Sequence, residues 1–429
     1  VAAYQRKDYA SALSLLRSLA EKGDTRAQSN LGVMYSHGEG VPQDYAEALK
    51  WYRRAADQGD RHAEYNLGVM YERGRGVAQS YPEALKWYRL AAAKGDVQAH
   101  CNLGVMYLNG NGVPQDFVEA LAQFRFAAEH GNVMAQDNLG VMYANGNGVT
   151  QDFVEALKQF RFAAERGEAQ AQSHLAIMYA TGRGVPQDEA EAIKWFTLAA
   201  RQGNAQAQYN LGVRYAQGEG VEQDYDEAMK WYRLAADQGY PDAENNLGAM
   251  YESGLGITQD YVVAVRWFRL AALHKSVNAQ TNLGIMYANG RGVAQDFAEA
   301  RKWFRLAADR GEVKAQRNLG ALYATGRGVP QSYAEAAKWY GLAAKRGDAA
   351  AGSILEKIRS VQARENAQSQ KPQERNARAQ IPSAPPQTLS RIEPSVFRFS
   401  SPAMETRTVH IGSPPSAGFH MMPARFGRR

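Results

Sequence analysis

The chain has 429 residues, 45% of them hydrophobic, with 40 glycines, 15 prolines and a single cysteine, Cys101, which excludes an intramolecular disulfide framework and a cysteine-rich metal cluster. Its formal charge of +6 sits at one end: residues 361–429 hold 10 Lys and Arg against 4 Asp and Glu, leaving 40 of each sign before them. That balance gives no general basic groove, so nucleic acid is not an expected partner, and no run reaches the ~18–20 apolar residues of a spanning helix, so an integral membrane protein is not expected either.

Residues 1–23 read as half of a repeating unit, because Asp8-Tyr9-Ala10-Ser11-Ala12-Leu13 is in phase with Asp44-Tyr45-Ala46-Glu47-Ala48-Leu49. Terminal repeats lack a neighbour on one side and depart from the pattern, so this segment is the expected N-terminal cap. The phrase Asn30-Leu31-Gly32-Val33-Met34-Tyr35 then recurs with its tyrosine at 35, 71, 107, 143, 179, 215, 251, 287 and 323. The step is 36 residues with no insertion across nine copies, and a fixed period of that size marks a stacked repeat architecture.

The first full unit runs from about Asp24 to Gly59. Ala27, Leu31, Met34 and Tyr35 share one helical face, at i, i+4, i+7 and i+8. Gly32 lies beside that face. A helical glycine costs about 1 kcal/mol against alanine, so its recurrence predicts a close approach by a second helix, and Ala176 in the fifth copy is the smallest alternative. Gly38 and Gly40 predict the helix end and a turn with positive φ. Asp44 with Glu47 forms a capping-box pattern at the start of a second helix. It recurs in every copy except the seventh, where Val263 follows Asp260. The second helix carries Tyr45, Ala48, Leu49, Tyr52, Ala55 and Ala56 on one face and closes at Gly59. The expected fold is all-α: an α-solenoid, wound as a right-handed superhelix, of nine 36-residue helix–turn–helix repeats over 24–347.

All seven tryptophans fall in one column, and two copies carry Gln123 and Gln159 there instead. Those two units, 102–137 and 138–173, match at 28 of 36 positions and look like a recent duplication. Residues 348–360 place Ala351, Leu355 and Ile358 in the first-helix phase without the Gly and Tyr, which predicts a C-terminal capping helix. From there to 429 the chain turns rich in Pro, Ser, Gln and Arg, and residues 361–429 are expected to be a disordered basic tail.

The unit resembles the Sel-one-like repeat, a branch of the tetratricopeptide superfamily. Ala27, Leu31, Gly32, Tyr35, Gly38, Gly40, Val41, Asp44, Ala48, Trp51, Tyr52, Ala55, Ala56, Gly59 and their equivalents carry the resemblance. Departures are few: Arg214 in the Met column, Ala176 for Gly, Glu189 for the aromatic residue and Lys275 for the closing Gly. The resemblance implies adaptors that assemble complexes, in bacteria often for envelope, signalling or host interactions. A cysteine-rich bacterial subset is associated with β-lactam binding or hydrolysis, and a chain with one cysteine departs from it.

No constellation points to chemistry, a metal or a cofactor. The Gly-x-Gly turns lack the preceding strand and lysine of a phosphate cradle, the histidines fall in unlike phases, and Cys101 has no obvious His or Asp partner. Tyrosine and tryptophan columns beside Ala and Leu read as core. The asparagine column is sharper: Asn30, Asn66, Asn102, Asn138, Asn210, Asn246, Asn282 and Asn318, with His174 in the remaining copy. By the resemblance these amides line a concave groove and bond an extended peptide backbone, having both donor and acceptor. The alternative reading is that each ties its helix to the adjacent turn. The residues just before them vary most, and by the same resemblance Tyr65, Tyr209 and Arg317 in that column point into the groove and set specificity.

The expected function is a non-enzymatic scaffold or adaptor of a bacterial complex, binding a protein or extended peptide in that groove. An envelope hydrolase or β-lactam-binding protein is the alternative. The chain begins at Val1, so either a signal peptide has been removed or the numbering starts inside a longer chain. A periplasmic or secreted location is favoured over a cytoplasmic one.

Overall fold

The computed structural model describes residues 9–376, with side chains from 13 to 363. Among the described residues there are twenty α-helices and no strand. A single helix, Tyr9–Glu21, precedes the repeats, and each repeat contributes two more. Contacts divide the described chain at Gln202 into two units of the same construction. The first holds the N-terminal helix and five repeats, and the second holds four repeats and the final helix.

One repeat explains the rest. Thr25–His37 and Tyr45–Asp57 are its two helices. The Asp24 carboxylate accepts from Ala27 N, and the Asp44 carboxylate accepts from Ala46 N and Glu47 N, satisfying donors that a helix start leaves open. Glu47 does not reach back to complete a capping box. Its carboxylate meets Lys50 Nζ at 2.5 Å instead. Gly38 ends the first helix in the left-handed region at φ 71°, its N–H donating to Met34 O. Gln43 Nε2 then donates to Ser36 O at 2.8 Å, occupying another carbonyl at that helix end.

Two glycine columns set the spacing of helices. A Cβ on Gly32 would lie 2.5 Å from the Tyr52 ring, and the same holds for Gly68 against Tyr88 and Gly140 against Phe160. An aromatic ring of the second helix therefore lies directly on the first helix, the close approach that the recurring glycine predicts. The second turn glycine has a different reason. Gly76, at φ 70°, would place a Cβ 2.6 Å from the Tyr45 carbonyl oxygen of the preceding repeat.

Burial is continuous from one repeat to the next within each unit. In the first, Leu16 and Ala20 of the N-terminal helix join Leu31, Met34, Trp51 and Tyr52 of one repeat and Ala63, Leu67 and Met70 of the next. In the second, Ala321, Ala336 and Tyr340 close against Ala351, Leu355 and Ile358 of the final helix. A repeat alone could not bury this face, as stacked architectures require.

The final helix runs from Ala349 to Asn376, past the expected end at Ser360. Residues 361–376 contain no glycine and are mostly Ala, Gln, Glu, Lys and Arg, which are good helix formers. The remainder of the expected disordered tail, 377–429, lies outside the described residues, as do residues 1–8 of the N-terminal half repeat.

Lys275 occupies the closing-glycine column and, among the described residues, is the non-glycine residue at positive φ, 68°. An L-residue in that region costs about 1–2 kcal/mol, against a smaller entropic penalty for glycine in the unfolded chain. Lys275→Gly is expected to stabilise the chain by about 1 kcal/mol, read as a higher urea midpoint by circular dichroism. A lowered midpoint would mean that the lysine side chain outweighs the backbone strain.

Candidate functional site

The asparagine column lies between neighbouring repeats. Asn102, Asn138, Asn210, Asn282 and Asn318 are buried, while Asn30, Asn66 and Asn246 are half-buried. Asn102 faces the Tyr65 and Tyr88 hydroxyls of the preceding repeat, and Asn246 those of Tyr209 and Tyr232, each amide opposing the upward shift that burial gives those phenols; the Tyr88 hydroxyl itself donates to Glu72 Oε2 at 2.6 Å. Asn282 Nδ2 donates to Asn245 Oδ1 at 3.0 Å, and Asn210 Nδ2 donates to Gln206 O at 2.9 Å. His174, which replaces Asn, sets Nδ1 2.8 Å from Asp137 Oδ1. Asn282 and His174 thus join a first helix to the repeat before it, whereas the Asn210 bond stays within its own helix. Asn318 Nδ2 and the Tyr340 hydroxyl are both buried without a partner, and the next place in the column is Ile354 of the final helix.

The variable column also turns towards the next repeat. Ser29, Cys101, Asp137, Ser173 and Thr281 are buried, and Tyr65, Tyr209 and Arg317 are half-buried. Their partners are the residues that open the following first helix. Ser29 Oγ donates to Asp60 Oδ1 at 3.2 Å, Arg317 Nη1 to Asp348 Oδ2 at 2.9 Å, and the Tyr209 ring lies 5.1 Å from that of Tyr240. A helical wheel gives the phase of this column but not the neighbour that fills the space beside it. Burial pushes the Tyr65 phenol up to about 12, with Asp96 adding to the shift, so Tyr65 stays a neutral donor. Burial likewise raises the Cys101 thiol to about 12, which leaves it without the thiolate a nucleophile needs.

A second set of inter-repeat ties was legible in the sequence as paired substitutions 30 residues apart. Gln58 Nε2 donates to Gln28 Oε1 at 2.7 Å, and Gln202 to Gln172 and Gln238 to Gln208 at 2.8 Å. Where Gln becomes Glu, its partner becomes basic: Lys94 meets Glu64 at 2.6 Å and His274 meets Glu244 at 2.8 Å. Burial raises the Glu244 carboxyl above its usual range, with His274 opposing the shift.

One recess brings predicted residues together at a surface. On the first helices of three consecutive repeats, Val33, His37, Arg61, His62, Tyr65, Asn66, Val97 and Gln98 line about 460 Å³. Tyr65 and Asn66 are the sequence-predicted members. The exposed residues are others: His37, Arg61, His62 and Gln98. His62 and Gln98 belong to a column four residues before the asparagines, starting at Arg26, whose members differ between copies and are polar except for Met134. That variability was the available signal. His62 Nδ1 stands 3.6 Å from Asp96 Oδ2 at the floor of the recess. Among the described residues no group of His, Cys, Asp or Glu is placed to hold a metal ion, and no helix is long and apolar enough to cross a membrane.

The model of the Sel1 repeat matches ten successive segments, 3–24 and then 25–60 through 313–348. The chain belongs to the Sel1 repeat family. A solved structure of a protective antigen from uropathogenic Escherichia coli strains, displaying this fold, is 32% identical, with a TM-score of 0.50 over 88% of this chain and 92% of its own. A Sel1 repeat protein from Oxalobacter formigenes is 34% identical, with a TM-score of 0.52 over 72% of this chain and 89% of its own. No curated protein matches the chain. The Sel1 fold is typical of protein-interaction scaffolds and is typically non-enzymatic.

The paired substitutions make a direct test of the ties. Lys94→Gln leaves the buried Glu64 carboxylate without its cation and is expected to destabilise by about 2 kcal/mol, the partner being half solvated. Adding Glu64→Gln rebuilds the Gln–Gln tie of other copies and is expected to restore most of the loss, measured by urea unfolding. A double variant no more stable than the single one would refute the pairing.

Proposed function

We propose that this Sel1 repeat protein is a non-enzymatic scaffold of a bacterial complex, and that its first-helix face takes up a protein segment or extended peptide. The recess over the first three repeats is the observation that carries the reading. It combines an apolar floor from Val33 and Val97 with exposed polar groups at Arg61, His62 and Gln98, the mixture typical of ligand-accepting surfaces. Its volume suits one or two side chains of a bound segment, with the backbone free to bond Asn66 and Gln98 amides. Elsewhere in the column Asn282, and His174 in the copy without Asn, tie a first helix to the repeat before it and help hold the spacing this face needs. Specificity on this reading comes from the exposed column of Arg26, His62 and Gln98, because the column beside the asparagines is largely turned inward.

The test is site-specific cross-linking in the native bacterial host. A photo-reactive benzoylphenylalanine at His62 or Gln98 is expected to trap one discrete protein, identified by mass spectrometry. The same group at exposed Lys194, on a second helix, is expected not to trap it. Equal yield from all three positions, or no adduct at His62 and Gln98 in a folded chain, would sink the assignment of the recess.

A further inference from the structure

The second helix of the seventh repeat, Tyr261–Leu273, breaks a charge pattern that seven copies keep. In those copies the exposed lysine of this helix is neutralised by a glutamate three residues before it, and the third copy has Ala122 in place of the lysine. Lys194 meets Glu191 at 3.0 Å and Lys230 meets Glu227 at 2.5 Å. The seventh copy has Val263 and Arg266 at those places, so Arg266 has lost the carboxylate built into its equivalents. One turn on, Arg269 Nη2 donates to the Tyr287 hydroxyl at 2.7 Å, a contact that fixes the guanidinium without a carboxylate. The helix contains no acidic residue at all. Three acids of this and the adjoining repeats are engaged: Asp260 caps this helix, Glu244 is tied to His274, and Asp309 is held by Arg305.

The same face is apolar. Val262 is 49% exposed, Leu270 37% and Leu273 72%. With Arg266 and Arg269 they stand at i, i+4, i+7, i+8 and i+11, a single stripe about 16 Å long at 1.5 Å per residue. At the place of Leu273 the other copies carry Asp, Ala, Glu, Arg or Lys. Three exposed apolar side chains and two guanidiniums that meet no carboxylate among the described residues thus share one line on this helix.

We propose that this stripe docks an acidic amphipathic helix of a partner protein, its leucine-like side chains meeting Val262, Leu270 and Leu273 and its carboxylates meeting Arg266 and Arg269. Such helix-on-helix recognition reads i, i+4, i+7 anchors, and the charge complement fixes register. The chain's own segment 361–429 carries a net of +6 and does not complement the stripe. A second copy would oppose arginine with arginine. An anionic bilayer fits less well, since a membrane-surface helix keeps its cations on the flank of an apolar ridge, whereas here arginines lie within it.

The full chain is titrated into a fluorescein-labelled 18-residue peptide with leucine at i, i+4 and i+7 and glutamate at i+3 and i+8, followed by anisotropy. Saturable binding is expected, weakened about tenfold or more by Arg266→Glu with Arg269→Glu. A peptide with lysine in place of glutamate is expected to recover binding to that variant. Leu273→Asp, at a position exposed enough to spare the fold, is expected to abolish binding on its own. Failure of the wild-type chain to bind, or equal binding by Leu273→Asp, overturns the proposal. So does flotation with phosphatidylserine vesicles in the absence of peptide binding, which would assign the stripe to a membrane.

Discussion

An aromatic ring resting on a glycine holds each repeat together. The ring of Tyr52, Tyr88, Phe124 or their equivalents comes so near the first helix that no Cβ fits beneath it without displacement. Placing a glycine in mid-helix sacrifices about 1 kcal/mol of propensity, and crowding a methyl into a packed contact costs about 1–3 kcal/mol. The second term exceeds the first at most copies, which is why glycine persists. Ala176 shows that the margin is small enough for one copy to cross it. Because the ring is also buried against the neighbouring repeat, the contact that closes one unit supplies the floor on which the next is laid.

The polar side chains between repeats then choose partners rather than supply bulk attraction. Gln28 and Gln58 are replaced together by Glu64 with Lys94 and by Glu244 with His274. Ser29 with Asp60, Tyr209 with Tyr240 and Arg317 with Asp348 vary in the same manner one residue further along. A buried glutamate beside a second glutamine would leave an unmatched charge, so glutamate in this column calls for a basic mate, whereas Arg310 and Arg346 opposite Gln280 and Gln316 bond backbone carbonyls instead. Repeats of nearly identical backbone are thereby given distinct edges, which disfavours stacking in the wrong order.

Much of this was legible in the chain, and the reasons for the rest are physical. The 36-residue period, the two helices, the caps at Asp24 and Asp44 and the close approach at Gly32 follow from residue type and spacing, because local sterics dictate them. The inward turn of Cys101, Asp137 and Thr281 does not, since phase on a wheel is silent about what lies opposite. The ties at 30 residues were visible but required reading columns against each other rather than along the chain. The helix end at Asn376 was missed because proline-rich composition further on masked a run of ordinary helix formers. Tyr65 and Asn66 do reach the recess, yet its exposed chemistry belongs to His37, Arg61, His62 and Gln98, residues that no recurring motif singles out.

The two tryptophan-free copies show how a polar exchange is tolerated in such an array. The indole Nε1 atoms of Trp87, Trp231, Trp303 and Trp339 are buried without a hydrogen-bond partner, so those rings are held by packing that offsets an unsatisfied donor of about 1–3 kcal/mol. An amide in the same place cannot rely on area, having little to bury. Gln123 and Gln159 instead donate to Glu119 and Glu155, four residues earlier on their own helices, and Gln123 also accepts the company of His100 Nδ1 at 2.6 Å. The glutamate released from its lysine partner in the third copy, where Ala122 stands, is the one that serves Gln123. The amide and its acceptor lie on one helix, so duplicating a 36-residue unit copies the whole solution and asks nothing of the neighbours, whereas a tryptophan must find a fitted surface on the next repeat.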